Sequence, residues 1–91
     1  MIRGIHRRII YNVKQMSIDI TTLLKHNKNK IIQIRLRDNK TIRGILQEFD
    51  RLMNLTLDDA EEISDTKIVK LGRILLRGNN IIVISLPEES E

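Results

Sequence analysis

Isoleucine dominates the apolar residues of this sequence, and alanine is almost absent. Seventeen isoleucines and three valines stand against a single alanine, Ala60. Branching at Cβ restricts side-chain rotation in a helix and suits the packed, pleated surface of a sheet. The chain has 91 residues, about the size of one small domain. We therefore expect one mostly β domain.

Apolar and polar residues alternate over several short stretches, which is the period of half-buried strands. Asp38 and Asn39 form a turn signal after the first stretch, because Asn tolerates the left-handed conformation of tight hairpins. The isolated Gly44 predicts a sharp bend in the second stretch. Five antiparallel strands are predicted, over residues 32–37, 40–49, 53–63, 67–77 and 81–86.

The net charge of +4 lies entirely in residues 1–16, since residues 17–91 contain 12 basic and 12 acidic side chains. Apolar residues at steps of three and four in this basic N-terminal extension favour an amphipathic helix. Gly4 and the isoleucine-rich run over residues 8–13 disfavour a helix, so an irregular arm is an equal alternative. The basic residues of the extension are Arg3, Arg7, Arg8 and Lys14.

A short helix is expected between the extension and the strands. Ser17 is a candidate N-cap, and the apolar stripe that follows it ends near His26. Pro87 and an acidic tail over residues 88–91 end the pattern. The main domain is therefore predicted over residues 17–87.

Several classes of function are disfavoured by what the sequence lacks. It contains no cysteine, and its only histidines, His6 and His26, are far apart, so we expect no metal site and no cofactor. No phosphate-binding loop or nucleophile motif is present, so we do not expect an enzyme. No apolar run approaches the roughly 20 residues that span a bilayer. We therefore expect no membrane partner. Because the sequence has no cysteine, it gives no sign of an oxidising compartment, and a reducing cytoplasm is the expected location.

The last predicted strand raises a question of assembly. Residues 81–84 are all apolar, which is typical of a strand covered on both faces. Such a strand at an open sheet edge invites pairing with another chain. Head-to-tail pairing between copies by a fixed rotation produces a ring. We therefore expect a homo-oligomer.

Two motifs in order resemble those of the Sm-like RNA-binding proteins, particularly the archaeal type with a short linker. The resemblance covers residues 17–86. The first motif is Ile34-x-Leu36, Gly44-x-Leu46 and Asp50-x-x-Met53-Asn54-x-x-Leu57; the second is Leu71-Gly72-Arg73 and Leu76-Arg77-Gly78-Asn79-Asn80-Ile81.

This resemblance implies an N-terminal helix followed by a strongly bent five-stranded antiparallel open barrel. It also implies a ring, most often a heptamer, in which the fourth strand of one subunit pairs with the fifth of the next. Such rings bind single-stranded, uridine-rich RNA at the central pore. A scaffold or chaperone role in RNA processing or ribonucleoprotein assembly follows, with other RNA-processing proteins as candidate partners.

The resemblance also implies roles for residues of two turns. Asn54 would hydrogen-bond the Watson–Crick edge of a uracil, and Asp50 would orient its amide. Arg77 would place its guanidinium against the base. Gly78 would allow close approach, and Asn79 would add a hydrogen bond where many relatives have Asp. A purely structural role for these turns is the alternative reading.

Leu52 departs from the family pattern, which commonly has His or an aromatic residue there to sandwich the base. Because leucine has no π face, we expect weaker or less uridine-selective binding. An alternative function is a protein-assembly module whose base pocket is weakened. The four basic residues of the extension are candidate auxiliary RNA contacts, although binding to another ring or to a membrane surface, or an unstructured arm, would also account for them.

Overall fold

The computed structural model describes residues 8–13 and 20–87. These residues form one antiparallel sheet of six strands, one α-helix and a 3-10 helix at Gly78–Asn80 in the turn between the last two strands. The strand order is β1-β6-β2-β3-β4-β5, so the edges are β1 and β5. The elements in chain order are β1 (Arg8–Asn12), α1 (Ile20–His26), β2 (Ile31–Leu36), β3 (Thr41–Phe49), β4 (Leu55–Ile63), β5 (Ile68–Leu76) and β6 (Ile81–Pro87).

The strand β1 corrects the sequence-based expectation for the N-terminal extension. Neither a helix nor an irregular arm is found at Arg8–Asn12, which pairs antiparallel with β6. The sheet therefore has six strands rather than five. The physical reason is that β6 would otherwise leave one edge of backbone N–H and C=O groups unpaired. The predicted N-cap Ser17 lies outside the described residues.

The core is one apolar cluster between the sheet and α1. The helix contributes Leu24, which is fully buried, and packs Ile20 and Leu23 against the cluster. The strands supply the rest. Over β2 and β3 the buried residues lie on one face of the alternating pattern, as predicted, whereas β6 buries Ile84, Ser85 and Leu86 in succession. The buried apolar residues of the strands and of the turn before β4 are Ile32, Ile34, Ile42, Leu46, Met53, Leu55, Leu57, Ala60, Ile81, Ile84 and Leu86.

The bend predicted at Gly44 coincides with an irregularity in the pairing of β3 with β4. The register shifts between Arg43 and Ile45. A Cβ at Gly44 would lie 3.1 Å from the Leu57 Cβ and 3.2 Å from the Ala60 Cα. This close approach of the two strands is the reason for glycine, and a shift in register of this kind is typical of a local bend in a strand.

The ends of the strands differ slightly from the sequence-based boundaries. Asn39 has the predicted left-handed conformation, with φ of +69°. Met53 also has positive φ, +67°, so β4 begins at Leu55 rather than at Met53, although the Met53 side chain is buried. The strand β5 is one residue shorter at each end than residues 67–77. Of the helical residues that the structure describes, none belongs to a helix long and apolar enough to cross a membrane.

Candidate nucleic-acid interface

Asp50 organises the turn between β3 and β4. Its Oδ1 accepts hydrogen bonds from the backbone N–H groups of Leu52 at 2.9 Å and Asn54 at 3.0 Å. Its Oδ2 accepts a third from the Asn54 Nδ2, also at 3.0 Å. Because these donors favour the charged form, with the Asn54 side chain contributing most, they hold the pKa of Asp50 below its ordinary value. The carboxylate therefore fixes both the backbone of the turn and the Asn54 amide.

The same amide joins this turn to the one between β5 and β6. The backbone N–H of Gly78 donates to the Asn54 Oδ1 at 2.8 Å. A Cβ at Gly78 would lie 1.8 Å from the Leu52 carbonyl oxygen, so only glycine permits this approach. We call residues 50–54 and 77–79, held together in this way, the turn junction. Gly78, expected to allow close approach, here admits the backbone of the other turn; its role in contacting a ligand stays a prediction.

The hydrogen bonds of the turn junction leave part of the hydrogen-bonding capacity of the Asn54 amide unused. A carboxamide has two N–H donors and two acceptor lone pairs. One N–H is bonded to Asp50 and one lone pair to Gly78. One donor and one acceptor remain, side by side and with their orientation set. This pattern complements an imide edge, which presents an N–H beside a carbonyl oxygen.

The other predicted site residues of the two turns are exposed around this amide. Arg77 immediately precedes Gly78, and both Arg77 and Asn79 are solvent-exposed. Leu52 is 76% exposed, which is unusual for a leucine and leaves its side chain available for contact. The structure therefore brings Asp50, Leu52, Asn54 and Gly78 into direct contact and places Arg77 and Asn79 beside Gly78.

Sequence reasoning missed Arg37, which attaches a third turn to the junction. Its Nε donates to the Asn79 carbonyl oxygen at 2.6 Å. Its backbone N–H donates to the Asn80 carbonyl oxygen at 2.9 Å. The residue lies 42 positions from Asn79 in sequence, and an arginine at the end of a strand carries no signal for such a contact.

The predicted auxiliary contacts do not join this site within the described residues. Arg8 lies on β1, where its Nη1 donates to the Ser85 carbonyl oxygen at 3.0 Å. Arg3, Arg7 and Lys14 are outside the described residues. A role for these four residues in RNA binding stays a prediction.

Two of the four acidic residues of β4, Asp58 and Glu61, are paired with arginines. The Arg73 Nε donates to the Asp58 Oδ1 at 2.6 Å, and the Arg43 Nη2 to the Glu61 Oε1 at 2.7 Å. The hydrogen bond to Arg73 lowers the pKa of Asp58 and raises that of Arg73. Across residues 8–13 and 20–87, no group of three or more His, Cys, Asp or Glu residues is placed to hold a metal.

Comparison with known proteins identifies the family. The LSM domain model matches residues 22–86. The chain belongs to the LSM domain family. This match confirms the resemblance to Sm-like proteins, and it begins within α1, so that β1 lies outside the matched domain.

Relatives of the LSM domain family agree in sequence and fold. A Methanococcoides burtonii protein, named as a snRNP Sm-like protein, is 41% identical over 64 residues, which cover 69% of this chain and 89% of the relative. A heptameric archaeal Sm protein is 43% identical with a TM-score of 0.69, over 71% of this chain and 96% of its own. The Pyrococcus abyssii Sm protein, solved with a uridine heptamer, is 30% identical with a TM-score of 0.68, over 75% of this chain and 96% of its own.

Proposed function

We propose that copies of this chain assemble into a ring and bind single-stranded, uridine-rich RNA at the turn junction. Each subunit contributes one base pocket, and the ring serves as a scaffold or chaperone in RNA processing or ribonucleoprotein assembly. The action is binding rather than catalysis. A heptamer is the expected ring, since the similar archaeal Sm protein is heptameric.

The observation that carries this proposal is the fixed Asn54 amide. Asp50 and Gly78 hold it from two sides, at 3.0 and 2.8 Å. Uracil presents an N–H donor next to a carbonyl acceptor, and the remaining acceptor and donor of Asn54 match that pair. Adenine presents a different arrangement at its Watson–Crick edge. Adenine has its acceptor on the ring and its donor on the exocyclic group, the reverse of uracil, so a fixed amide favours uracil once Arg77 also holds the base in one orientation, whereas a rotating amide would accept either base.

Arg77 supplies the second interaction. Its exposed guanidinium sits at the end of β5, next to the glycine that bonds Asn54. A planar guanidinium stacks on a base face and adds positive charge near the phosphates. Repetition of this pocket around a ring raises the overall affinity for RNA even where one pocket is weak, because each further nucleotide binds at a high effective concentration. The related Pyrococcus abyssii protein, solved with a uridine heptamer, supports this mode of binding.

The test is fluorescence anisotropy with oligouridine and oligoadenine at one stated salt concentration. We expect oligouridine to bind more tightly and Arg77→Ala to weaken it by about ten-fold, the scale of one stacking contact. Arg35→Ala is the matched control, since it removes the same charge from an exposed position on β2. Equal affinity for the two oligomers, unchanged by Arg77→Ala, would exclude the proposal.

A second candidate function rests on Leu52. Its exposed, non-aromatic side chain suits a protein partner better than a base, so the ring would act as a protein-assembly module. Leu52→Tyr separates the two functions: with an RNA pocket, an aromatic face strengthens oligouridine binding about ten-fold. A module for protein assembly would instead keep its partners after nuclease treatment and show no gain from Leu52→Tyr.

A further inference from the structure

The strand β1 occupies an edge of the sheet that assembly between copies would use. Val83, Ile84 and Ser85 of β6 are paired with β2 on one side and with β1 on the other. Without β1, the two edges of the sheet would be β6 and β5. Head-to-tail association through strands joins the two unlike edges of successive copies. The outer edge of β6 is therefore the contested edge: β1 of the same chain occupies it, and a strand of a second copy would pair with the same backbone groups.

The hold of β1 on this edge is limited. It contains five residues, none of them buried. Ile9 is 42% exposed and Ile10 is 69% exposed, while Tyr11 packs against the core cluster. The strand also lies outside the LSM domain match, residues 22–86. It is thus an addition to the domain shared with heptameric relatives and is fixed mainly by backbone pairing.

The other edge strand, β5, is open and apolar. Its only partner in the sheet is β4. It contains nine residues, none of them buried. Four apolar side chains of β5 are exposed, namely Ile68, Val69, Leu71 and Leu75. A long apolar edge of this kind is a site for pairing with another chain.

We propose that β1 is a placeholder strand, which holds the β6 edge in a single subunit and is displaced by β5 of a second copy during assembly. This inference rests on the ring of the proposed function. Pairing of β5 on the outer edge of β1 would use at most its five residues, whereas β6 offers the seven residues Ile81–Pro87. The exchange also covers the exposed apolar side chains of β5 beside the buried Ile84 and Leu86.

A placeholder raises the concentration of subunits at which copies assemble. Because β1 is tethered to the same chain, it competes at a high effective concentration. The apparent affinity between copies is the intrinsic affinity multiplied by the fraction of chains whose β6 edge is free. Single subunits are thereby protected from premature pairing at an apolar edge, and assembly begins when the neighbouring β5 is abundant enough to replace β1.

The decisive experiment locks β1 to β6 with a disulfide. Ile10 and Ser85 are direct cross-strand partners, and such pairs have Cα atoms about 4.5–5.5 Å apart, within the range that a disulfide needs. The chain has no cysteine of its own, so Ile10→Cys with Ser85→Cys adds the only thiols. Light scattering is then measured on the oxidised and the reduced protein over a range of concentrations.

The matched control is Ile31→Cys with Ile45→Cys, which joins partners on β2 and β3 without touching the contested edge. We expect the oxidised Ile10–Ser85 variant to remain a single subunit and to assemble on reduction, whereas the control assembles in both states. If both oxidised variants assemble equally, β1 stays on β6 in the oligomer and the proposal is overturned.

Removal of residues 1–13 tests the same idea from the other side. The truncated chain should assemble at about ten-fold lower concentration, the shift expected if β1 holds the edge in roughly nine of ten chains. A full chain that never assembles would contradict the ring of the proposed function. In that case assembly of the truncated chain alone would still support the placeholder, and its absence would overturn it.

Discussion

The turn junction and the β1–β6 edge both join distant parts of the chain, but through different kinds of contact. At the junction, one side chain bridges two turns: Asn54 bonds Asp50 and Gly78 at 3.0 and 2.8 Å. At the edge, β1 is held on β6 mainly by backbone pairing over five residues. The Tyr11 side chain, which packs against the core, and a hydrogen bond from Arg8 add to this pairing.

This difference matches what each region has to do. A pocket that distinguishes bases needs donors and acceptors held in one orientation before the ligand arrives, and specific side-chain bonds provide that. A strand that gives way to another strand needs contacts that any extended backbone can replace, and the ladder of a sheet provides those. The molecule therefore combines a rigid binding region with an exchangeable edge.

The largest expected effect comes from breaking the turn junction at Gly78. Gly78→Ala places a Cβ against the Leu52 carbonyl, 1.8 Å away in the present backbone, so the two turns must separate. We expect the free energy of unfolding to fall by about 3 kcal/mol, measured by urea denaturation, and oligouridine binding to be lost.

Gly72→Ala is the control for Gly78→Ala. Gly72 has φ of +75°, but a Cβ there meets no atom within 4 Å, so the cost is only conformational, about 1 kcal/mol. Equal destabilisation by the two substitutions would show that the contact at Gly78 is not what holds the turns together.

The next prediction addresses the edge directly. Amides of β1 should exchange with solvent through local opening, at a free energy about 2 kcal/mol below that of β3, because no residue of the strand is fully buried. Hydrogen exchange with peptide-level mass spectrometry on the wild-type chain measures the difference. Protection of β1 equal to that of β3 would mean that the edge is as rigid as the sheet interior, which would contradict an exchangeable β1.

Much of the fold follows from local pattern, and β1 shows where that stops. Alternation predicted the strands that begin near residues 32, 40 and 53, a continuous apolar run predicted the last strand, and turn chemistry predicted the positive φ of Asn39. The partners of β1 are remote: Arg8 and Ser85 are 77 positions apart. The spacing of apolar residues in the extension fits a helix and its isoleucine-rich run does not, so the sequence leaves the two balanced; the unpaired edge of β6, a property of the assembled sheet, decides for a strand at Arg8–Asn12.

The site divides in the same way. The bonds from Asp50 to Leu52 and Asn54 span two and four positions, so they follow from local turn chemistry together with the motif. The bond from Gly78 to Asn54 spans 24 positions, and the contact of Arg37 with Asn79 spans 42. These depend on how the strands place their ends, which no short pattern records.

A smaller effect is expected from Asn54→Ala. The substitution removes one bond to Asp50 and leaves the Gly78 N–H without its acceptor, which should cost about 1 kcal/mol of stability. Oligouridine binding should weaken more than stability, because the base-reading amide is gone. Thr56→Ala, at a half-buried position on β4, is the control: equal loss of RNA affinity in both variants would argue against a specific role for the amide.

The smallest effect concerns the charge of Asp50. Its pKa is lower in the folded chain than in the unfolded one, so the unfolded state binds protons first as the pH falls. The stabilisation is complete above the unfolded pKa of about 4 and is lost as the pH drops through the lower folded value. Urea unfolding at pH 7, 4 and 3 should show a smaller decline for Asp50→Asn than for the wild type. The β1–β6 pairing involves no carboxylate among its partners, so acid should loosen the turn junction but leave the opening free energy of β1 unchanged. Hydrogen exchange of β1, corrected for the pH dependence of intrinsic rates, measures that free energy. An equal response of the two regions to acid would contradict the view that different contacts hold them.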